Sequence, residues 1–166
     1  MSTLSALFDK VLGAAAAVAA TVIASIALLI SLNVVLRNAA GTTLYGLLDA
    51  VEYGLLAATF LGAPWVLANN AHVTVDLVTA ALPRRIARPL ARVMAALGLV
   101  VSAVFLFYAV EAAVASAQRG SMIRTAFVIP EWWVLCAAPA GFALICLEFL
   151  RQILSPPEPG RPDAGL

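Results

Sequence analysis

Four stretches of the chain are almost purely apolar, and the polar residues collect between them. The first, residues 11–36, carries no charge in 26 positions. At about 1.5 Å of rise per residue it is long enough to cross a hydrocarbon core roughly 30 Å thick. The second covers residues 53–71 and the third residues 93–110. The fourth begins at Trp132, between Glu131 and Glu148, and Phe149 and Leu150 extend it to about residue 150. Trp132 and Trp133 are residues suited to a membrane interface. The pattern predicts an all-α integral membrane protein with four transmembrane helices. The first apolar run exceeds the length of a signal peptide, and Asp9 offsets Lys10 ahead of it, so it is expected to remain attached.

Between the second and third stretches the pattern changes. Residues 69–89 are too polar to cross and too ordered in composition for a plain linker, and Pro83 and Pro89 suit helix starts. Arg84, Arg88 and Arg92 would share one helical face, with Ile86, Leu90 and Val93 on another. This predicts a short interfacial amphipathic segment whose arginines meet anionic membrane lipids. Residues 155–166 contain four prolines and two glycines and are expected to form a disordered cytoplasmic tail behind a membrane domain of residues 1–154.

Basic residues set an expected orientation. Lys10, Arg84, Arg85, Arg88, Arg92, Arg151 and Arg161 fall on one side of the predicted spans, and Arg37, Arg119 and Arg124 on the other. Because positively charged loops are retained in the cytoplasm, both termini and the loop between the second and third helices should lie inside.

Composition reinforces this picture: 63% of the 166 residues are hydrophobic and 11% charged, and the mean hydropathy is +1.00. The formal net charge of +1 is spread over dispersed Lys and Arg, which excludes a nucleic-acid interface. Cys136 and Cys146 are ten residues apart in one apolar run, roughly 15 Å along a helix, too far to form a disulfide.

Few side chains in the spans could carry chemistry. Glu111, near the outer end of the third helix, is read as an interfacial acid that pairs with Arg119 or Arg124 or reaches water; the competing reading is a proton- or cation-coupling carboxylate. Glu52 sits at the outer start of the second helix. His72 and Asp76 are four apart and would pair on one helical face, a structural pair at the interface. One histidine cannot supply both axial ligands of a membrane b-type haem. No catalytic residue, cofactor or metal site is expected. Gly54, Ala58 and Gly62 form one small-residue ridge and Gly13, Ala17, Thr21 and Ser25 another, either of which lets helices approach closely. Pro64 and Pro139 each remove an N–H inside a span, freeing the carbonyls of Phe60 and Leu135, so bends are expected there.

Several segments together resemble the small membrane subunit of tripartite ATP-independent periplasmic (TRAP) transporters, the DctQ-like family. They are Asn33-Val-Val-Leu-Arg37, Phe60-Leu-Gly-Ala63, His72-Val-Thr-Val-Asp76 followed by Leu82-Pro83, and Val128-Ile-Pro130. Their order and spacing carry the resemblance from about residue 8 to 152. Family members often have adjacent acids entering the second helix, where this chain has Asp49 and Glu52. They often have an arginine shortly before the histidine, where this chain has Asn69 and Asn70.

The resemblance implies a scaffold beside a large membrane subunit that carries a sodium-coupled path for small organic acids or related solutes, fed by a periplasmic solute-binding protein. Arg37, Glu52, His72, Asp76, Arg84, Arg88, Arg124 and Pro130 are the candidate structural or interface positions, and the outward loops with Arg37, Arg119 and Arg124 are candidates for docking the binding protein. Two readings of other classes stand beside it. An autonomous proton-coupled exporter working as a homodimer would depend on Glu111, and the anchor subunit of a membrane oxidoreductase would bind a haem or quinone.

Overall fold

A computed structural model describes the backbone of residues 3–79 and 84–154 and the side chains of residues 5–69 and 89–154. In chain order the elements are α1 (Thr3–Ala40), α2 (Leu47–Thr79), α3 (Arg84–Arg119), β1 (Met122–Arg124), β2 (Val128–Pro130), α4 (Glu131–Leu135) and α5 (Ala137–Leu154). Four helical stretches are long and apolar enough to span a membrane: Ser5–Ala40, Leu47–Asn69, Pro89–Arg119 and Glu131–Leu154. The chain is a multi-pass, all-α membrane protein.

The helices outrun the spans they contain. With 38 residues, α1 is roughly 57 Å long, against a hydrocarbon core of roughly 30 Å. Several hydroxyls inside the apolar helices are bonded: Thr21 donates to the Ala17 carbonyl at 2.8 Å, Ser25 to Thr21 at 2.8 Å and Thr59 to Leu55 at 2.7 Å. Each is satisfied within its own helix, as a lipid environment demands. Gly120 ends α3 in the left-handed conformation (φ 63°). Its N–H reaches the Ala117 carbonyl and the Ser121 N–H the Ser116 carbonyl, both at 3.2 Å, closing the helix with a Schellman turn.

The helices pack side by side in the order α1, α2, α5, α3. Leu12, Ala19 and Ile26 recur every seven residues as the buried seam of α1. Opposite them stand Gly54, where a Cβ would come within 2.9 Å of Ile26, and Gly62, where one would lie 3.6 Å from Ala19. The predicted ridge on α2 thus forms the α1–α2 seam. The ridge on α1 does not, since Ala17, Thr21 and Ser25 are exposed. Phe142 of α5 joins the other helices: its ring meets Phe60 of α2 edge-on at 5.5 Å and stacks on Phe105 of α3 at 5.4 Å.

Three local expectations are refined. The segment read as lying between the second and third spans is not a separate helix. Its described parts continue α2 out to Thr79 and begin α3 at Arg84, with Pro89 inside α3. Amphipathic sequence that continues a helical register needs no break to change its surroundings. The fourth span is divided at Cys136 into α4 and α5. Cys136 N–H still reaches Trp132 and Ala140 N–H reaches Cys136, at 3.0 and 3.3 Å. Pro139 has no N–H to offer Leu135, and the break falls there. Pro64, by contrast, lies within an uninterrupted α2 and is fully buried. Residues 155–166, the expected tail, lie outside the described residues.

Candidate functional site

Polar side chains gather at the two ends of the helix row. At the end formed by the α1–α2 loop and the β hairpin, Asn33 accepts the Leu44 N–H at 2.8 Å, tying the loop back onto α1. The hairpin between α3 and α4 pairs Met122 with Pro130, Ile123 with Ile129 and Arg124 with Val128. Its tip is held by α2: Asp49 Oδ2 accepts the Ala126 N–H at 2.7 Å, and the Tyr53 and Thr125 hydroxyls are 3.3 Å apart. Gly46, with φ 71°, turns the chain beneath the Phe127 ring, so that a Cβ there would lie 2.7 Å from it. Ser116, fully buried on α3, donates to Glu131 Oε2 at 2.7 Å, and the Glu131 N–H reaches the Ser121 carbonyl at 3.0 Å. Two loops far apart in sequence become one interlocked cap.

At the opposite end Glu148 of α5 is buried, only 1% exposed. Arg151 Nε lies 3.0 Å from Glu148 Oε2, and Arg151 Nη2 and Gln152 Nε2 donate to Oε1 at 3.2 and 2.9 Å. Arg151 also pairs with Asp9 of α1 and lies 5.5 Å over the Phe8 ring. One guanidinium therefore joins the first helix to the last.

The candidate positions fall unevenly on these clusters. Pro130 ends β2 and caps α4 with extended geometry. Arg37 and Glu52 are exposed and outside both clusters, and Arg124 is exposed at the end of β1 in the hairpin. The backbones of His72 and Asp76 are helical within α2, and those of Arg84 and Arg88 open α3. The side chains of these four lie outside the described residues. Glu111 is exposed on α3 and makes no ion pair with Arg119 or Arg124; of the two arrangements expected for it, the pairing is absent and the exposed one remains. Glu148, which bounds the fourth apolar stretch, is buried in a network that sequence reasoning missed. Its spacing to Arg151 and Gln152, three and four residues, was the available signal. Asp49, noted only as a departure from a family pattern, holds the hairpin.

Among the described residues no group of three His, Cys, Asp or Glu side chains could hold a metal ion. An open apolar groove of about 1020 Å³ lies between α1 and α2, lined by Gly13, Ala17, Ala20, Gly62, Ala63 and Trp65 among others. The outward faces of α1 and α3 are lined with exposed large apolar residues, including Val18, Leu28 and Leu32 on α1 and Leu97, Val104 and Phe107 on α3. Polar ends with internal ties, apolar faces and bare spans define a small membrane subunit built for contact within a bilayer.

The chain belongs to the DctQ component family of tripartite ATP-independent periplasmic transporters, whose family model matches residues 26–156. It is a TRAP transporter small membrane subunit, from a family of transporter components rather than enzymes, and that family works with a large membrane subunit and a periplasmic binding protein. No curated protein sequence matches it closely enough to add a relative.

Proposed function

We propose that this subunit braces a large sodium-coupled permease subunit that imports small organic acids or related solutes delivered by a periplasmic binding protein. The observation that carries this reading is the use made of polar side chains. Those of Asn33, Asp49, Ser116, Glu131, Glu148 and Arg151 hold helices and loops of this chain to one another. A transport pathway needs polar groups converging at depth; a brace needs a fixed shape and apolar faces.

In this arrangement the chain sits in a bacterial inner membrane with both termini in the cytoplasm, an orientation that the distribution of Lys and Arg supports. The α2–α3 connection with Arg84, Arg88 and Arg92 meets anionic headgroups, and His72 and Asp76, four apart on a continuous helix, stabilise its approach. On the outer side Arg37, Glu52, Arg119 and Arg124 surround the interlocked cap and offer charge to the binding protein. Pro130 fixes where the cap joins α4.

Affinity purification of the tagged chain from native membranes in mild detergent tests the reading. Recovery of a large multi-span permease near one-to-one is the expected result. Recovery of this chain alone as a stable homodimer would overturn it in favour of an autonomous exporter, and a haem spectrum in the purified protein would point to an oxidoreductase anchor.

A further inference from the structure

Glu111 is out of place for a lipid-facing residue. On α3 the buried residues Ala95, Ser102, Ala113 and Ser116 face α5 and α4. At 100° per residue Glu111 and Val104 lie within about 20° of the direction opposite them, and Leu97, Tyr108 and Val101 continue the same stripe toward one side. All five are exposed, and α3 is the last helix in the row, so no helix among the described residues lies over them. Among the described residues none makes a hydrogen bond or ion pair to Glu111.

Its depth follows from its neighbours. Ser116 is level with Glu131 through their hydrogen bond, and Trp132 and Trp133 follow at once, marking the interface. Glu111 is five residues before Ser116, about 7.5 Å further toward the membrane centre. Lipid tails offer a carboxylate no donor, and a charge at such depth faces protein or a water-filled space. The exposed face of α1 is different in kind. On its outward side Val18, Leu28, Leu29 and Leu32 are branched aliphatics, and no charge interrupts residues 11–36, as lipid contact requires.

From this contrast we infer that the Leu97–Val101–Val104–Tyr108–Glu111 stripe of α3 is the docking face for the large membrane subunit, with Glu111 meeting a basic or hydrogen-bond-donating side chain of that partner. The inference rests on the proposed bracing role and names the face through which it acts. The apolar part of the stripe supplies packing area, and the carboxylate fixes the register of one helix against the other, because sliding along the stripe would leave it unpaired.

A photoreactive phenylalanine placed in turn at Val104, Tyr108, Val18 and Leu28 of the tagged chain, in membranes containing all transporter subunits, tests the face. Adducts with the large subunit from Val104 and Tyr108, and not from Val18 and Leu28, are expected. In parallel, E111Q should lower the large subunit retained per tagged chain by about threefold to tenfold, in the range of a polar contact between membrane helices. The yield of the tagged chain itself reports whether the variant folds, and E111D, which keeps the charge, should restore most of the retention. If the large subunit co-purifies but the adducts come from α1, from a second copy of this chain or only from lipid, the docking face is refuted while the bracing role stands. Retention by E111Q equal to the unmodified chain also refutes it. Failure of the unmodified chain to retain the large subunit overturns both.

Discussion

A Cβ placed on Gly141 would lie 2.5 Å from the carbonyl oxygen of Phe60. That oxygen is the one Pro64, four residues on, cannot bond. The glycine of α5 therefore sits against the carbonyl freed by the proline of α2, and Phe142 beside it closes the contact with its ring 5.5 Å from that of Phe60. Close approach of two backbones is the main attraction available between helices in lipid, where burying apolar surface gains nothing.

G141A should therefore destabilise the subunit despite the better helix propensity of alanine. Overpacking of this kind costs about 1–3 kcal/mol. At Gly13 a Cβ would meet nothing within 4 Å, and G13A should be neutral or stabilising by roughly 0.5–1 kcal/mol. Thermal unfolding of the two variants in detergent should shift in opposite directions, or at least differ clearly.

Removing Arg151 strands Glu148. The Glu148 side chain is 2% exposed and the Asp9 side chain 43%, so the two acids respond differently to loss of their partner. R151A should cost roughly 3–5 kcal/mol by leaving a buried charge uncompensated. D9A should cost under about 1 kcal/mol, as a solvent-screened pair does. Combining R151A with E148Q should recover part of the loss, and a double-mutant cycle on unfolding free energies measures the coupling.

D49A should free the tip of the hairpin. The Ala126 N–H would lose its charged acceptor. Hydrogen exchange at Ala126 should rise with little change in the helices, and added protease should cut among Thr125, Ala126 and Phe127 in D49A well before the unmodified chain. D49N, which keeps an acceptor oxygen, should fall between.

Cysteine labelling checks the orientation. With Cys136 and Cys146, both free thiols, replaced by alanine, a single cysteine at Arg124 should react with an impermeant maleimide in intact cells, and one at Lys10 only after the membrane is opened. The reverse pattern would place the hairpin in the cytoplasm.

The four spans were legible in the sequence because the lipid requirement acts on every residue locally. Backbone polar groups must bond within their own helix, side chains must be apolar, and both conditions appear as uninterrupted runs. Family membership was legible too, since Asn33, the His72–Asp76 segment and Pro130 keep their order across those runs. Which faces meet was not. Both small-residue ridges read alike, yet only Gly54, Ala58 and Gly62 on α2 are used against α1. The Asp9–Arg151 pair joins positions 142 residues apart, and the Asp49–Ala126 bond positions 77 apart, distances at which no periodicity carries information. The sequence by itself determined that the chain crosses a membrane four times and which family it belongs to. Only the tertiary structure decided that the helices stand in the order α1, α2, α5, α3, that Glu148 is buried and that Glu111 is left without a partner, because apolar helices in lipid choose their neighbours by side-chain shape and isolated polar ties rather than by hydrophobic pattern.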